Sequence, residues 1–109
     1  MKTQSTEKLL RIFISEKDKH NSKPLYEEII LLAKKHGMTG ASAIKGFIGF
    51  GVKSHIHTAK LLELSENLPI IIEIIDSEEK INSFLQVLDG VLQDGLVTLE
   101  NVNTIRYLK

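Results

Sequence analysis

The chain of 109 residues contains no cysteine, no excess of either charge and no long apolar run. Each absence removes a class of function. Without cysteine there is no disulfide framework, no thiolate metal site and no cysteine nucleophile. A reducing compartment fits this usage, and a cytoplasmic location is expected. The 14 Lys and Arg residues are balanced by 14 Asp and Glu, whereas domains that bind nucleic acid generally carry a basic excess. DNA is therefore not an expected partner, although a local phosphate site stays open. No apolar run approaches the roughly 20 residues that a membrane helix needs, and residues 1–7 are polar, without the apolar core of a signal segment. Hydrophobic residues make up 42% of the chain, as in ordinary globular proteins. This length supports one core, so residues 1–109 are expected to form a single domain.

The hydrophobic pattern predicts six elements. Residues 9–14, LLRIFI, read as a short buried strand, and the polar residues 15–23 as a loop. Pro24 suits a first helical turn, with Ser22 nearby as a cap. Leu25, Ile29, Leu32 and His36 then recur at helical spacing, Lys34 and Lys35 complement the helix dipole, and Gly37 supplies the stop. Residues 41–52, ASAIKGFIGFGV, read as a strand with Gly46, Gly49 and Gly51 as sites of bulge or close backbone approach. A polar connector over residues 53–60 leads to a short strand or turn at 61–64, then to the buried strand IIIEII at 70–75. Asp76 with Glu79 has capping-box spacing. Ile81, Phe84, Leu85, Leu88 and Val91 make an amphipathic helix closed by Gly95. Residues 97–107 return as a strand, bent or interrupted near 100–103. The order β-α-β-β-α-β predicts an α+β, ferredoxin-like fold: an antiparallel four-stranded sheet with two helices on one face.

Motifs for catalysis are lacking. Glu73 and Asp76 stand three apart on a strand and face opposite ways, so they make no acid–base pair. No serine has a His and a carboxylate that the pattern can place beside it, and the chain is not expected to be an enzyme. His55 and His57 alternate as metal ligands can, but need a third ligand from Glu63 or Glu66 and read more simply as polar connector. The glycine-rich stretch fails the phosphate-loop pattern, because Val52 separates Gly51 from Lys53. Its glycines admit either a neighbouring subunit or a ligand. KGFIGF at 45–50 resembles the aromatic strand of a single-stranded RNA-binding module, the alternative reading, but Ile48 turns Phe50 away from Phe47 and breaks the stacking platform. Arg11, Arg106 and Lys109 lie on the first and last strands, where they form either a phosphate-binding cluster or a solvated edge.

Four stretches together resemble a known family: LRIFISEKDKHNSKPLYEEII, HGMTGASAIKGFIGFG, IHTAKLLELSENLPIIIEIIDSEEKI and DGLVTLENVNTIRY. They are similar to the PII-like family called domain of unknown function 190, over nearly the whole chain. The resemblance implies a homotrimeric signalling protein that binds a small ligand, such as ATP, ADP or AMP, in clefts between subunits. It places ligand-binding residues at Gly49, Phe50, Gly51 and Lys53, at the base of a loop after the second strand, and at Arg106 and Lys109 in a basic C-terminal segment. It also implies a membrane transport protein, such as a fluoride channel, as partner.

Overall fold

The computed structural model describes residues 1–51 and 67–109. Strands β1 (Lys2–Ser15), β4 (Ser42–Lys45), β5 (Pro69–Asp76) and β6 (Leu96–Tyr107) form one antiparallel sheet in the order β4-β5-β1-β6. Helix α1 (Leu25–Lys35) follows β1, and α2 (Glu78–Leu88) follows β5. This is the ferredoxin-like arrangement that the pattern predicts. A small hairpin, β2 (Lys19–His20) and β3 (Lys23–Pro24), is added between β1 and α1.

Alternation along the strands separates the two faces of the sheet. Leu10, Ile12 and Ile14 of β1 and Ile70, Ile72 and Ile74 of β5 point inward. They pack on Leu25, Ile29 and Ala33 of α1 and on Ile81, Phe84 and Leu88 of α2. The other face bears Phe13 opposite Ile71 and Leu96, with Ile44 beyond Ile71. No helix covers it among the described residues: Ile44, Ile75 and Leu96 are 48%, 39% and 58% exposed. Through its middle runs a charged rung. Arg11 Nε donates to Glu73 on β5 and Arg11 Nη1 to Glu100 on β6, each at 2.8 Å.

Several boundaries differ from the pattern, each for a physical reason. β1 starts at Lys2 rather than residue 9, and β6 runs unbroken to Tyr107. Their register is continuous from Lys2 opposite Tyr107 to Phe13 opposite Leu96. The extra length is a polar two-stranded ribbon with no buried face, so hydrophobicity does not mark it. Its polar side chains meet across the ladder, as Ser5 meets Thr104 and Thr6 meets Asn103. The residues expected to interrupt β6 are thus its cross-strand partners. In the expected loop, Asn21 and Ser22 take positive φ of 51° and 67°, which suits the tight turn of the β2–β3 hairpin. Ser22 therefore does not cap α1; the Leu25 amide donates to Asp18 O instead. Helix α2 is capped by Ser77, whose hydroxyl accepts from the Lys80 amide. Asp76 instead accepts from the amide and hydroxyl of Thr39 and from the Ser77 amide. The helix ends at Leu88, and Gly95 belongs to the entry of β6, where a Cβ would stand 3.0 Å from Phe13 O.

Candidate functional site

The predicted strand over 41–52 ends at Lys45, and residues 46–51 fold around the start of β5 instead. The Gly46 amide donates to Pro69 O at 2.8 Å. A Cβ on Gly46 would lie 2.8 Å from Pro69 Cγ, and one on Gly49 3.0 Å. Proline has no amide to continue a ladder, and its ring occupies the space that side chains at 46 and 49 would need. The close backbone approach expected of these glycines is thus made to Pro69 of the same chain.

The turn after β1 ties this end together. Glu16 Oε2 is 2.6 Å from Lys45 Nζ, at the exit of β4. The Glu16 amide donates to Leu68 O at 2.8 Å, and the Lys17 amide to Asn67 Oδ1 at 3.2 Å. Lys45 holds the Glu16 carboxyl below the ordinary carboxylate range, with help from the Leu68 amide. Glu16 in turn raises Lys45. One turn therefore grips the chain on both sides of residues 52–66.

Beside this turn lies a cavity of about 260 Å³ whose walls include Phe13, Ser15, Phe50, Gly51 and Leu96. Its lining is mainly apolar; Asp18 and Asp94 also line it, and among the described residues no Lys or Arg does. The volume falls short of the roughly 300–1,000 Å³ typical of pockets that enclose a small molecule. Phe50 is 70% exposed, so the cavity is open to solvent on that side. Two other cavities, of about 340 and 370 Å³, lie around Met38 on the helical side. Among the described residues no group of three metal-ligating side chains occurs.

Of the residues proposed to bind ligand, the structure gathers Gly49, Phe50 and Gly51 at this end. Lys53 lies outside the described residues, as do His55, His57, Glu63 and Glu66. Arg106 and Lys109 are at the opposite end of β6. Ten residues separate Leu96 from Arg106, about 33 Å at strand rise. Arg106 and Arg11 do not cluster either: Arg106 pairs with Thr3, eight positions from Arg11 along β1, or about 26 Å. Each guanidinium is engaged by carboxylates, Arg11 as above and Arg106 by Glu7, with Nη2 2.9 Å from Oε1. Phe47 and Phe50 stand beyond the end of β4, so neither offers the sheet-borne ring that RNA stacking needs. Phe13 and Gly95, both lining the cavity, had a faint sequence signal. Phe13 lies in a run apolar on both faces, and Gly95 in a turn. Glu7, in a polar tract, had none.

A family model described as "Uncharacterized ACR, COG1993", DUF190, matches residues 7–104. The chain belongs to this family. It is 43% identical over 98 residues to a UPF0166 protein of Aquifex aeolicus, covering 90% of this chain and 92% of that one. Its fold is similar to that of apo CPII of Thiomonas intermedia K12, a nitrogen regulatory PII-like protein. There the TM-score is 0.65 at 15% identity, over 98% of this chain and 100% of that one. CPII bound to ADP, AMP and acetate gives a TM-score of 0.61 at 16% identity, over 94% and 91% of the two chains. The PII-like, ferredoxin-like fold is thereby established for this family member. Among the described residues no helix is long and apolar enough to cross a membrane.

Proposed function

We propose that this protein is a PII-like homotrimeric regulator that binds an adenine nucleotide in clefts between its subunits. The observation that carries the reading is the half-built cavity at Phe50 and Gly51. It has an apolar wall for a base and glycine backbone for close approach, yet among the described residues no cation lines it. The nearest candidate on β6, Arg106, is about 33 Å along the strand. A nucleotide phosphate there draws its positive charge from a neighbouring copy or from Lys53. The uncovered apolar face of the sheet supplies the contact surface for such copies. That CPII, of like fold, binds ADP and AMP supports the ligand class.

In this reading Gly49, Phe50, Gly51 and Lys53 meet the nucleotide from one subunit, and Arg106 and Lys109 from the next. Residues 53–60 follow the site directly and report its occupancy to a partner. A membrane transport protein, such as a fluoride channel, is the partner class that the family resemblance implies. The task is differential binding and not bond making. Calorimetric titration with ADP and AMP tests it, beside single-stranded RNA at two salt concentrations. Saturable nucleotide binding is expected. No nucleotide heat, with RNA binding that falls steeply with salt, would overturn the reading.

A further inference from the structure

Arg106 is held in an unusually complete setting for a residue on an outlying ribbon. Its Nε donates to Glu7 Oε1 at 3.1 Å and its Nη2 lies 2.9 Å from the same oxygen. Nη2 also reaches Ile75 O, at the end of β5, at 3.3 Å. Thr104 fixes the carboxylate in turn, its hydroxyl donating to Glu7 Oε1 at 2.7 Å. The Glu7 side chain is only 11% exposed, whereas that of Arg106 is 35% exposed. Three strands therefore converge on one guanidinium: β6 carries it, β1 supplies Glu7 and β5 supplies Ile75 O. Among the described residues nothing bonds to Nη1, so one edge of the fork keeps its donors.

We infer that Glu7 and Thr104 are positioning residues for Arg106, holding its guanidinium so that the Nη1 edge presents donors to a phosphate oxygen of a nucleotide on a neighbouring subunit. The inference rests on the reading above, in which Arg106 reaches such a ligand. Its physical content is preorganisation. A free arginine loses rotamer freedom when it grips an anion, and one already fixed by a carboxylate and a carbonyl loses less. The planar fork allows one edge to be spent on Glu7 while the other stays available. The pair engages Nε and Nη2 and leaves Nη1 aside, so the phosphate need not displace the carboxylate.

Calorimetry with two probes, ADP and adenosine, separates positioning from bulk structure, because adenosine lacks the group that Arg106 would meet. Arg106→Ala should weaken ADP binding by about 10- to 100-fold, as loss of a charge-assisted bond does. Glu7→Ala should weaken it by about tenfold and leave adenosine binding unchanged. Glu7→Gln keeps an oxygen that can accept the same donors and should stay within about threefold of wild type. The double variant Glu7→Ala/Arg106→Ala should bind no more weakly than Arg106→Ala, since a positioning residue acts only through the group it positions. Should Glu7→Ala not fold, Thr104→Val removes the hydroxyl that fixes the carboxylate and should show the same phosphate-dependent loss, smaller in size. The inference is overturned if Glu7→Ala binds ADP as wild type does while Arg106→Ala does not. It is equally overturned if Glu7→Ala binds ADP more tightly, which makes Glu7 a competitor, or if adenosine and ADP weaken together. If the wild type binds no ADP, or Arg106→Ala binds it normally, the placing of Arg106 in the site fails, and the inference with it.

Discussion

On the inner face of the sheet, Leu10, Ile12, Ile14, Ile70, Ile72 and Ile74 are sealed beneath α1 and α2. On the outer face Phe13, Ile44, Ile71, Ile75 and Leu96 are as apolar, yet lie partly or largely open, and Arg11 sits among them between Glu73 and Glu100. The two sets alternate along the same strands. The inner set is a finished core, buried in one cluster with residues of α1 and α2 of its own chain. The outer set is an unfinished one. Its charged rung keeps the lone face hydrated and, if copies meet there, restricts how they pack, since unpaired charge is costly to bury.

Substitutions on the two faces should therefore fail differently. Phe84→Ala empties the inner core and should cost about 3–5 kcal/mol in urea unfolding, without altering which oligomer the folded chain forms. Asp76→Ala strips the acceptor from the Thr39 amide and hydroxyl and the Ser77 amide, and should cost about 2–3 kcal/mol. Asp76 also gives a pH signature. Burial pushes its carboxyl up, but the bonds from Thr39 and Ser77 and the charge of Lys80 outweigh burial and hold it below its ordinary value. Its stabilisation is therefore complete above the unfolded pKa and is lost as pH falls through the folded one. Between about pH 5 and pH 2 the wild type should lose stability more steeply than Asp76→Asn. A parallel slope would remove Asp76 from that account.

Gly46→Ala should destabilise by about 1–3 kcal/mol, because its Cβ would overlap the Pro69 ring. Pro69→Ala should relieve much of that loss in the double variant. Additive losses would show that the glycine is needed for something other than Pro69. The smallest effect on stability belongs to the outer face. Ile44→Asp should change unfolding of the single chain by less than about 1 kcal/mol, while light scattering shows the folded species reduced to one chain. A loss as large as that of Phe84→Ala would mean that the outer face is core after all.

The inner face was legible because a buried strand leaves a continuous apolar run and a packed helix a period of 3.6. Ile70 to Ile75 and Ile81 to Leu88 could be placed on that basis. The ribbon of β1 and β6 was not legible, since Lys2 to Lys8 and Asn101 to Tyr107 bury little and their pairing is polar. Asp76 has the spacing of a cap, but its neighbour Ser77 is as good a cap by residue type, and only the distant Thr39 decides between them. At the candidate site the glycines signalled close approach, but Pro69, twenty or more positions away, is what they approach. Whether Arg106 and Lys109 meet Phe50 and Gly51 depends on a second copy, and a single chain's pattern carries no record of that geometry.

Native mass spectrometry with ADP tests the central claim most directly, because it reads assembly and occupancy together. The account predicts a species of three times the 12.3 kDa chain mass that takes up ADP to a limit of one per intersubunit cleft. A single-chain mass at micromolar concentration, or a trimer that takes up no ADP at saturation, would contradict it.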